Sequence, residues 1–247
     1  MGVDDILEHE QGLGYFGEPS ERRALKQSDE ELDRVIKKAE GLGVTTLDTY
    51  TGLNKTAADL GRTRESFISL IQGKRVCDVG SGKGGLAIEC ALENIDAEIV
   101  SVEPAIAHPN FKSGQLEIIK KILGGNHSLG QIQKAFEIYE QNAYAATADE
   151  LPFEDNSFDI AIDDRSVTFY SAKIGRELFK RSLQEMLRIT KPGGRLLIGD
   201  AVHFLDQEDA GFQIQVIKEL GLAYEFFYEL GSQAKFKLPI GIEITKP

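Results

Sequence analysis

Residues 76–86 read Val-Cys-Asp-Val-Gly-Ser-Gly-Lys-Gly-Gly-Leu, an apolar run that carries one acid, Asp78, and breaks into a glycine-rich turn. A second acid, Glu103, follows another apolar run, Glu98–Val102, and stands 25 residues after the first. Glycines let a ligand come close to the backbone, and the start of the next helix offers N–H groups with no partner in the helix. An acid at the tip of the second strand can accept hydrogen bonds from both hydroxyls of a ribose. These are the parts of a nucleoside site, and two spacings compete for it. Gly80, Gly82 and Gly85 fit the dinucleotide pattern G-x-G-x-x-G, whereas Gly80, Gly82 and Gly84, counted from Asp78, fit Asp-x-Gly-x-Gly-x-Gly. A phosphate loop ending in Gly-Lys-Ser/Thr is excluded, because Gly84 follows Lys83. Asp78, two residues before the first glycine, would repel a pyrophosphate and favour a cationic ligand.

The elements that must position these residues follow from periodicity. Residues 1–73 are polar and mostly helical in pattern. Ser28-Asp-Glu-Glu31 forms a capping box before the amphipathic stretch Leu32–Leu42, with Leu32, Val35, Ile36 and Ala39 on one face. A second helix is expected over Arg64–Ile71, with Gly43–Arg62 as loop plus a short helix. From Lys74 onward, apolar runs at 75–79, 98–102, 143–147, 158–163 and 195–199 read as strands covered on both faces. Helical patterns at 84–94, 111–123, 129–141 and 173–190 alternate with them, which implies a parallel sheet. Pro192-Gly-Gly reads as the turn where the last of these helices ends and the fifth strand begins. After Asp200 a helix at 207–220 precedes two runs, Tyr224–Leu230 and Phe236–Thr245. Joined by Gly231-Ser-Gln, they read as an antiparallel hairpin closing one edge of the sheet.

The division expected is a helical N-terminal extension, 1–73, and an α/β domain, 74–247. From Glu103 to Thr147 there are 44 residues, about double what one crossover helix needs. The surplus reads as an extra helix: Phe111–Leu123 and Leu129–Gln141, separated by Gly124-Gly-Asn-His-Ser128. With the N-terminal helices it is expected to form a lid over the second-substrate pocket or a dimer contact.

Composition limits the partners. A net charge of −12 over 247 residues argues against a long phosphate-tracking surface, and so against nucleic acid as a partner. No apolar run approaches the ~20 residues needed to span a bilayer. The acidic N-terminus lacks the basic and apolar regions of a signal peptide, and Gly2 is not followed by the Ser or Thr at position 6 that myristoylation needs. A cytoplasmic location is the expectation. Cys77 and Cys90 read as buried thiols rather than a disulfide, and with four scattered His no metal site is expected.

Beyond the glycines, the sequence resembles the class I S-adenosylmethionine-dependent methyltransferases. Ala148-Asp-Glu-Leu-Pro-Phe153 and Asp155-Asn-Ser-Phe-Asp159 are similar to the family's third-strand loop and entry to the fourth strand. Leu187-Arg-Ile-Thr-Lys-Pro-Gly-Gly-Arg-Leu-Leu197 is similar to its entry to the fifth. With the glycine turn, four blocks fall in the family's order over residues 74–200. The resemblance implies a doubly wound, mostly parallel seven-stranded α/β sheet of order 3-2-1-4-5-7-6, with strand 7 antiparallel. It implies S-adenosyl-L-methionine as cofactor and a set of contacts to it. The turn Gly80-Ser81-Gly82 and Gly84 would wrap the methionine and ribose, Asp78 would approach the ammonium, and Glu103 would take the ribose hydroxyls. Pro104 would pack on the adenine face, the Ala148 N–H would reach the adenine edge, and Asp163 would lie beside the methyl group. The family places an acid before that Ala. Here the position is Thr147, so its hydroxyl or Asp149 would have to serve instead.

Methyl transfer from a sulfonium is an in-line displacement in which the protein chiefly aligns the reactants and excludes water. Asp163-Asp164-Arg165 ends the fourth strand at the carboxyl edge, where ligands bind in open α/β sheets. It lacks the Asn/Asp-Pro-Pro-Tyr/Phe of the family's adenine and glutamine N-methyltransferases, which argues against those substrates. Candidate catalytic groups are His203, as a base, and Asp163; Tyr50 and Tyr170 are candidates to line the acceptor pocket. His108 reads as structural or exposed. The expected activity is methylation of a small molecule, with a possible homodimer. A non-catalytic cofactor-binding subunit and a NAD-dependent dehydrogenase are the alternatives.

Overall fold

The computed structural model describes residues 27–42, 50–108, 111–164, 166–167, 175–199, 207–228 and 239–247. Arg165, Tyr170, Asp200, His203 and Gly231-Ser-Gln lie outside the described residues. Seven strands form one sheet in the order β3-β2-β1-β4-β5-β7-β6. They are β1 (Arg75–Val79), β2 (Glu98–Val102), β3 (Ala143–Tyr144), β4 (Phe158–Asp164), β5 (Thr190–Gly199), β6 (Tyr224–Tyr228) and β7 (Pro239–Thr245). Strands β1 to β5 pair in parallel, and β7 runs antiparallel to both β5 and β6. The α/β sheet order and the antiparallel last strand are those implied by the family resemblance.

Helices cover both faces. On one side lie α1 (Asp29–Gly41), α2 (Leu53–Asp59), α3 (Arg64–Ile71), α4 (Gly85–Leu92), α5 (Phe111–Leu123) and α6 (Leu129–Gln141). Their Leu32, Leu53, Phe67, Leu86, Ile119 and Phe136 share a core with Val76, Ile99 and Ile162 of the sheet. On the other side, α7 (Arg176–Ile189) and α8 (Gln207–Glu219) bring Phe179, Met186 and Val216 onto Cys77, Val100 and Ile198. Adjacent strand residues point to opposite faces, so both faces of the central strands are largely apolar, interrupted by Asp78 on β1, Ser101 on β2, and Asp163 and Asp164 at the end of β4.

The helix starts follow local chemistry. Ser28 caps α1 in a capping box with Glu31, and Ser128 caps α6 in one with Gln131. Helix α2 has no side-chain cap of its own. Both helices of the long 103–147 connection form over the expected residues, and Ile119, Ile132, Phe136 and Tyr139 of this pair are fully buried.

The boundaries expected for the third and fifth strands are corrected. The third strand stops at Tyr144 rather than at 147, because its partner β2 ends at Val102 and Pro104 then opens a 3-10 turn, Pro104–Ala107. Beyond it, the Gln27 side-chain amide takes over the edge, donating to Ala145 O at 2.9 Å and accepting from Ala145 N at 2.8 Å. The fifth strand begins at Thr190, so Pro192-Gly193-Gly194 is a bulge inside it rather than a turn before it. Phe158 pairs with Thr190 and Ile160 with Arg195, and Gly193 N donates to Lys246 O at 2.9 Å. The second strand of the hairpin, expected over Phe236–Thr245, is described from Pro239 to Thr245, and residues 236–238 lie outside the described residues.

Arg188, at the end of α7, fixes the loop that follows β3. Its Nη1 donates to Phe153 O at 2.7 Å and its Nη2 to Leu151 O at 3.0 Å, while Glu185 and Asp155 hold the guanidinium. Arg188→Ala removes the side-chain donor to Phe153 O and leaves Leu151 O with Phe153 N alone. It is expected to lower stability by about 1–3 kcal/mol in urea denaturation. Arg188→Lys should recover little, since one ammonium cannot reproduce the two-pronged geometry.

Candidate functional site

Strand β1 pairs with β2 on one side and β4 on the other, so the chain reverses direction of growth at β1. A crevice outside the carboxyl ends of strands at such a switch point is the usual ligand site of an open α/β sheet. The glycine turn occupies it. Gly80 N and Ser81 N both donate to Val102 O, at 2.8 and 3.1 Å, which ties the turn to the tip of β2. Gly80, Gly82 and Gly84 all have positive φ, and Gly84 caps α4 in the left-handed region with no side-chain cap. Residues with a Cβ resist that region. Neighbours also leave no room for one. At Gly80 a Cβ would run into Ser166, and at Gly84 into the ring of Tyr139.

Three acids meet around this turn. Glu103, 8% exposed, accepts from Ala105 N at 3.1 Å and from Gly82 N at 3.3 Å. Burial pushes its carboxyl up to about 7, against the opposing pull of those two N–H bonds and of Lys83. Burial also pushes Asp78 up to about 7, and the charges of Asp163 and Glu103 add to the rise. Asp78 lies beside Ser101 in the β1–β2 register. The hydroxyls of Ser101 and Ser81 are buried with no hydrogen-bond partner among the described residues. A cationic, hydroxyl-bearing ligand fits such a lining: it would relieve the like charges and supply partners to buried polar atoms.

Asp163 is fully buried at the end of β4. Its Oδ1 accepts from Ser166 N at 3.2 Å and Val167 N at 3.0 Å, and lies 2.6 Å from Ser166 Oγ. Ser166 Oγ also reaches Val79 O at 3.0 Å. Asp163 therefore caps the turn that presses Ser166 against Gly80. Pro104 starts the 3-10 turn after Glu103, and His108 ends it half-buried.

On the other flank, Thr147 is buried and Ala148 half-buried. Thr147 lines a crevice with Gln27, Arg34 and Lys38 from the N-terminal segment. The Asp149 carboxylate is held by Lys38 at 2.9 Å and lies 3.6 Å from Arg181. Tyr50 donates its hydroxyl to Glu89 on α4 at 2.8 Å.

Sequence reasoning missed Ser166, Tyr139, Gln27 and Glu89. The Asp163-to-Ser166 spacing of an N-cap could have shown the first. No local signal connects Tyr139 to Gly84, Gln27 to Ala145 or Glu89 to Tyr50, since those contacts span 39 to 118 positions. Among the described residues, no group of three or more His, Cys, Asp or Glu is arranged to hold a metal ion.

Residues 77–198 match the family model of the methyltransferase domain. The chain carries a class I S-adenosylmethionine-dependent methyltransferase domain. The match runs from β1 to β5 and so includes the turn, Glu103, Thr147 and Asp163. The domain is 29% identical over 139 residues to an O-methyltransferase, rstn1, of Aspergillus nomiae, covering 56% of this chain and 51% of that protein. It is 33% identical over 130 residues to the ubiquinone/menaquinone biosynthesis C-methyltransferase UbiE of Pseudomonas putida, covering 51% and 41%. The demethylmenaquinone methyltransferase of Clavibacter sepedonicus is 27% identical over 131 residues, covering 53% and 42%. The chain spans about half the length of the curated relatives it matches. In fold it is similar to a putative S-adenosyl-L-methionine-dependent methyltransferase of Methanococcus maripaludis, with a TM-score of 0.51 at 16% identity over 94% of this chain and 97% of that one.

The methyltransferase domain should show the strain of its acids in its pH dependence. The folded-state pKa values of Asp78 and Glu103, about 7, lie above ordinary carboxylate values, so folding favours their protonated forms. That contribution is fully present below about pH 4 and is lost as pH rises through about 7. Asp78→Asn removes one such group. Its stability relative to the parent is expected to rise between about pH 5 and pH 8 by on the order of 1–3 kcal/mol. Urea midpoints across that range measure it, and a constant difference would contradict the assignment.

Proposed function

We propose that this chain transfers the methyl group of S-adenosyl-L-methionine to a small-molecule acceptor. The observation that carries the reading is Glu103: a buried strand-tip acid, held by two backbone N–H groups against the glycine turn, with Asp78 beside it. The cofactor supplies a methyl group already activated on a sulfonium sulfur. In this reading the backbone of Gly80, Ser81, Gly82 and Gly84 cradles the methionine and ribose portion. Asp78 faces the ammonium, and Glu103 turns one or both oxygens to the ribose hydroxyls.

Pro104 backs the adenine, while the Thr147 hydroxyl and the Ala148 N–H take its edge. Asp149 keeps its carboxylate on Lys38, so its part in binding falls to its backbone. Asp163 shapes the wall next to the methyl position through the Ser166 turn, because one of its oxygens is already engaged by that turn. His203 remains our candidate base for an acceptor O–H or N–H. The reaction asks little more of the protein than alignment and exclusion of water.

The relatives' names, an O-methyltransferase and quinone-pathway methyltransferases, support a small organic acceptor. The net charge of −12 points the same way, since it disfavours a polyphosphate substrate. Two free buried thiols, Cys77 and Cys90, suit a cytoplasmic location.

Calorimetric titration with S-adenosylmethionine, S-adenosylhomocysteine and NAD tests the assignment. S-adenosylhomocysteine should bind, NAD should not, and Glu103→Gln should weaken binding about 10- to 100-fold, or roughly 1.4–2.8 kcal/mol. Binding of NAD without S-adenosylhomocysteine overturns the reading. Incubation with methyl-labelled cofactor and a small-molecule extract should give a labelled product. Cofactor binding with no product from any fraction would favour a non-catalytic subunit instead.

A further inference from the structure

We propose that Glu89 is a positioning residue that couples occupancy of the nucleoside site to the ordering of residues 50–60, which form the wall beside the tips of β4 and β5. The inference rests on the cofactor reading above.

Glu89 stands one turn into α4, the helix that begins at the glycine turn. Both of its carboxylate oxygens are spent on the N-terminal segment. Oε1 accepts from the Tyr50 hydroxyl at 2.8 Å, and Oε2 accepts from Leu53 N at 2.7 Å. Leu53 is the first residue of α2, whose N-cap is Gly52 and which has no side-chain cap of its own. The carboxylate of Glu89 supplies that cap from an element 36 positions away. Gly52 makes the approach possible, because a Cβ there would overlap the Glu89 carboxylate. Burial, together with the negative charge of Glu89, holds the Tyr50 hydroxyl far above the ordinary phenol range, so it stays a donor.

The two ends of this bridge touch the two halves of the site. At the near end, Thr51 packs its carbonyl against Gly85, the residue that starts α4. At the far end, the last turn of α2 presses on Gly199 at the tip of β5. A Cβ on Gly199 would lie 3.2 Å from Leu60 Cδ2, 3.4 Å from Asp59 O and 2.9 Å from Asp164 Oδ1. Leu53 and Leu60 are both fully buried, so α2 moves with its contacts or not at all. A ligand that fixes the glycine turn fixes the start of α4. Through Glu89 it then fixes the start of α2, and with it the wall next to the expected acceptor position.

A simple structural cap would slow exchange in 50–60 whether or not ligand is present; a coupling residue makes the slowing depend on ligand. Hydrogen–deuterium exchange of the full chain separates the two, with each protein free and saturated with S-adenosylhomocysteine. In the parent, S-adenosylhomocysteine should slow the amides of 50–60 by about tenfold or more. In Glu89→Ala that ligand-dependent slowing should disappear. Glu89→Gln, whose amide oxygen can still accept from Leu53 N, should restore most of it, and Tyr50→Phe should restore part. If Glu89→Ala does not fold, Tyr50→Phe and Glu89→Gln decide the matter alone. Equal protection in parent and Glu89→Ala, or none in a saturated parent, overturns the coupling while leaving the cofactor reading intact. Absence of S-adenosylhomocysteine binding to the parent overturns the cofactor reading, and the coupling with it.

Discussion

Carboxylates at the carboxyl ends of buried strands are expensive to keep charged, and this fold places three of them around one turn. Asp78, Glu103 and Asp163 each have a different relief. Glu103 takes two backbone N–H groups, Asp163 caps the Ser166 turn, and Asp78 is left with a raised pKa beside both. In an apolar setting, a carboxylate without full compensation favours either a proton or a cationic ligand. In the proposed reading, the same burial that strains the site disfavours a pyrophosphate and favours a cationic nucleoside.

The surroundings of the turn make that strain sustainable. Ser166 fills the space beside Gly80, Tyr139 the space beside Gly84, and Thr51 leans on Gly85. These three contacts come from the turn after β4, from α6 and from the N-terminal segment. The glycines consequently serve twice. They permit a backbone with positive φ, and they let three separate elements pack directly on the turn that would hold the ligand. Gln115 of α5 adds a fourth tie, donating to Lys83 O at 2.6 Å. The long helical pair between β2 and β3 is thereby braced against the cofactor turn, as well as built into the core.

Much of the fold could be read before any coordinates because its signals are local. Short apolar runs marked β1, β2 and β4, and the Ser28–Glu31 capping box marked the start of α1. The errors fall where a distant residue decides. The third strand is shorter than its apolar run because β2 turns away at Pro104, and the fifth is longer because Lys246 pairs with the Pro-Gly-Gly bulge. Within the site, motif residues could be named from their spacing. Their partners could not. Asp149 looked available to adenine until Lys38, from a helix more than a hundred positions earlier, was seen holding it.

The sequence by itself determined the chemistry on offer: a glycine turn, an acid two residues before it, and a second acid at the next strand's tip. Residue type and short-range spacing suffice for that, because a parallel strand–turn–helix unit fixes where its own tip residues point. Only the tertiary structure decided which of those groups are buried, which are already paired, and how firmly the turn is held. Burial depends on the elements that cover a residue, and pairing on side chains brought from remote positions. That is why Asp78 emerges as strained, Asp163 as a cap, Asp149 as engaged, and Glu89, unremarked in the sequence, as the link between two halves of the site.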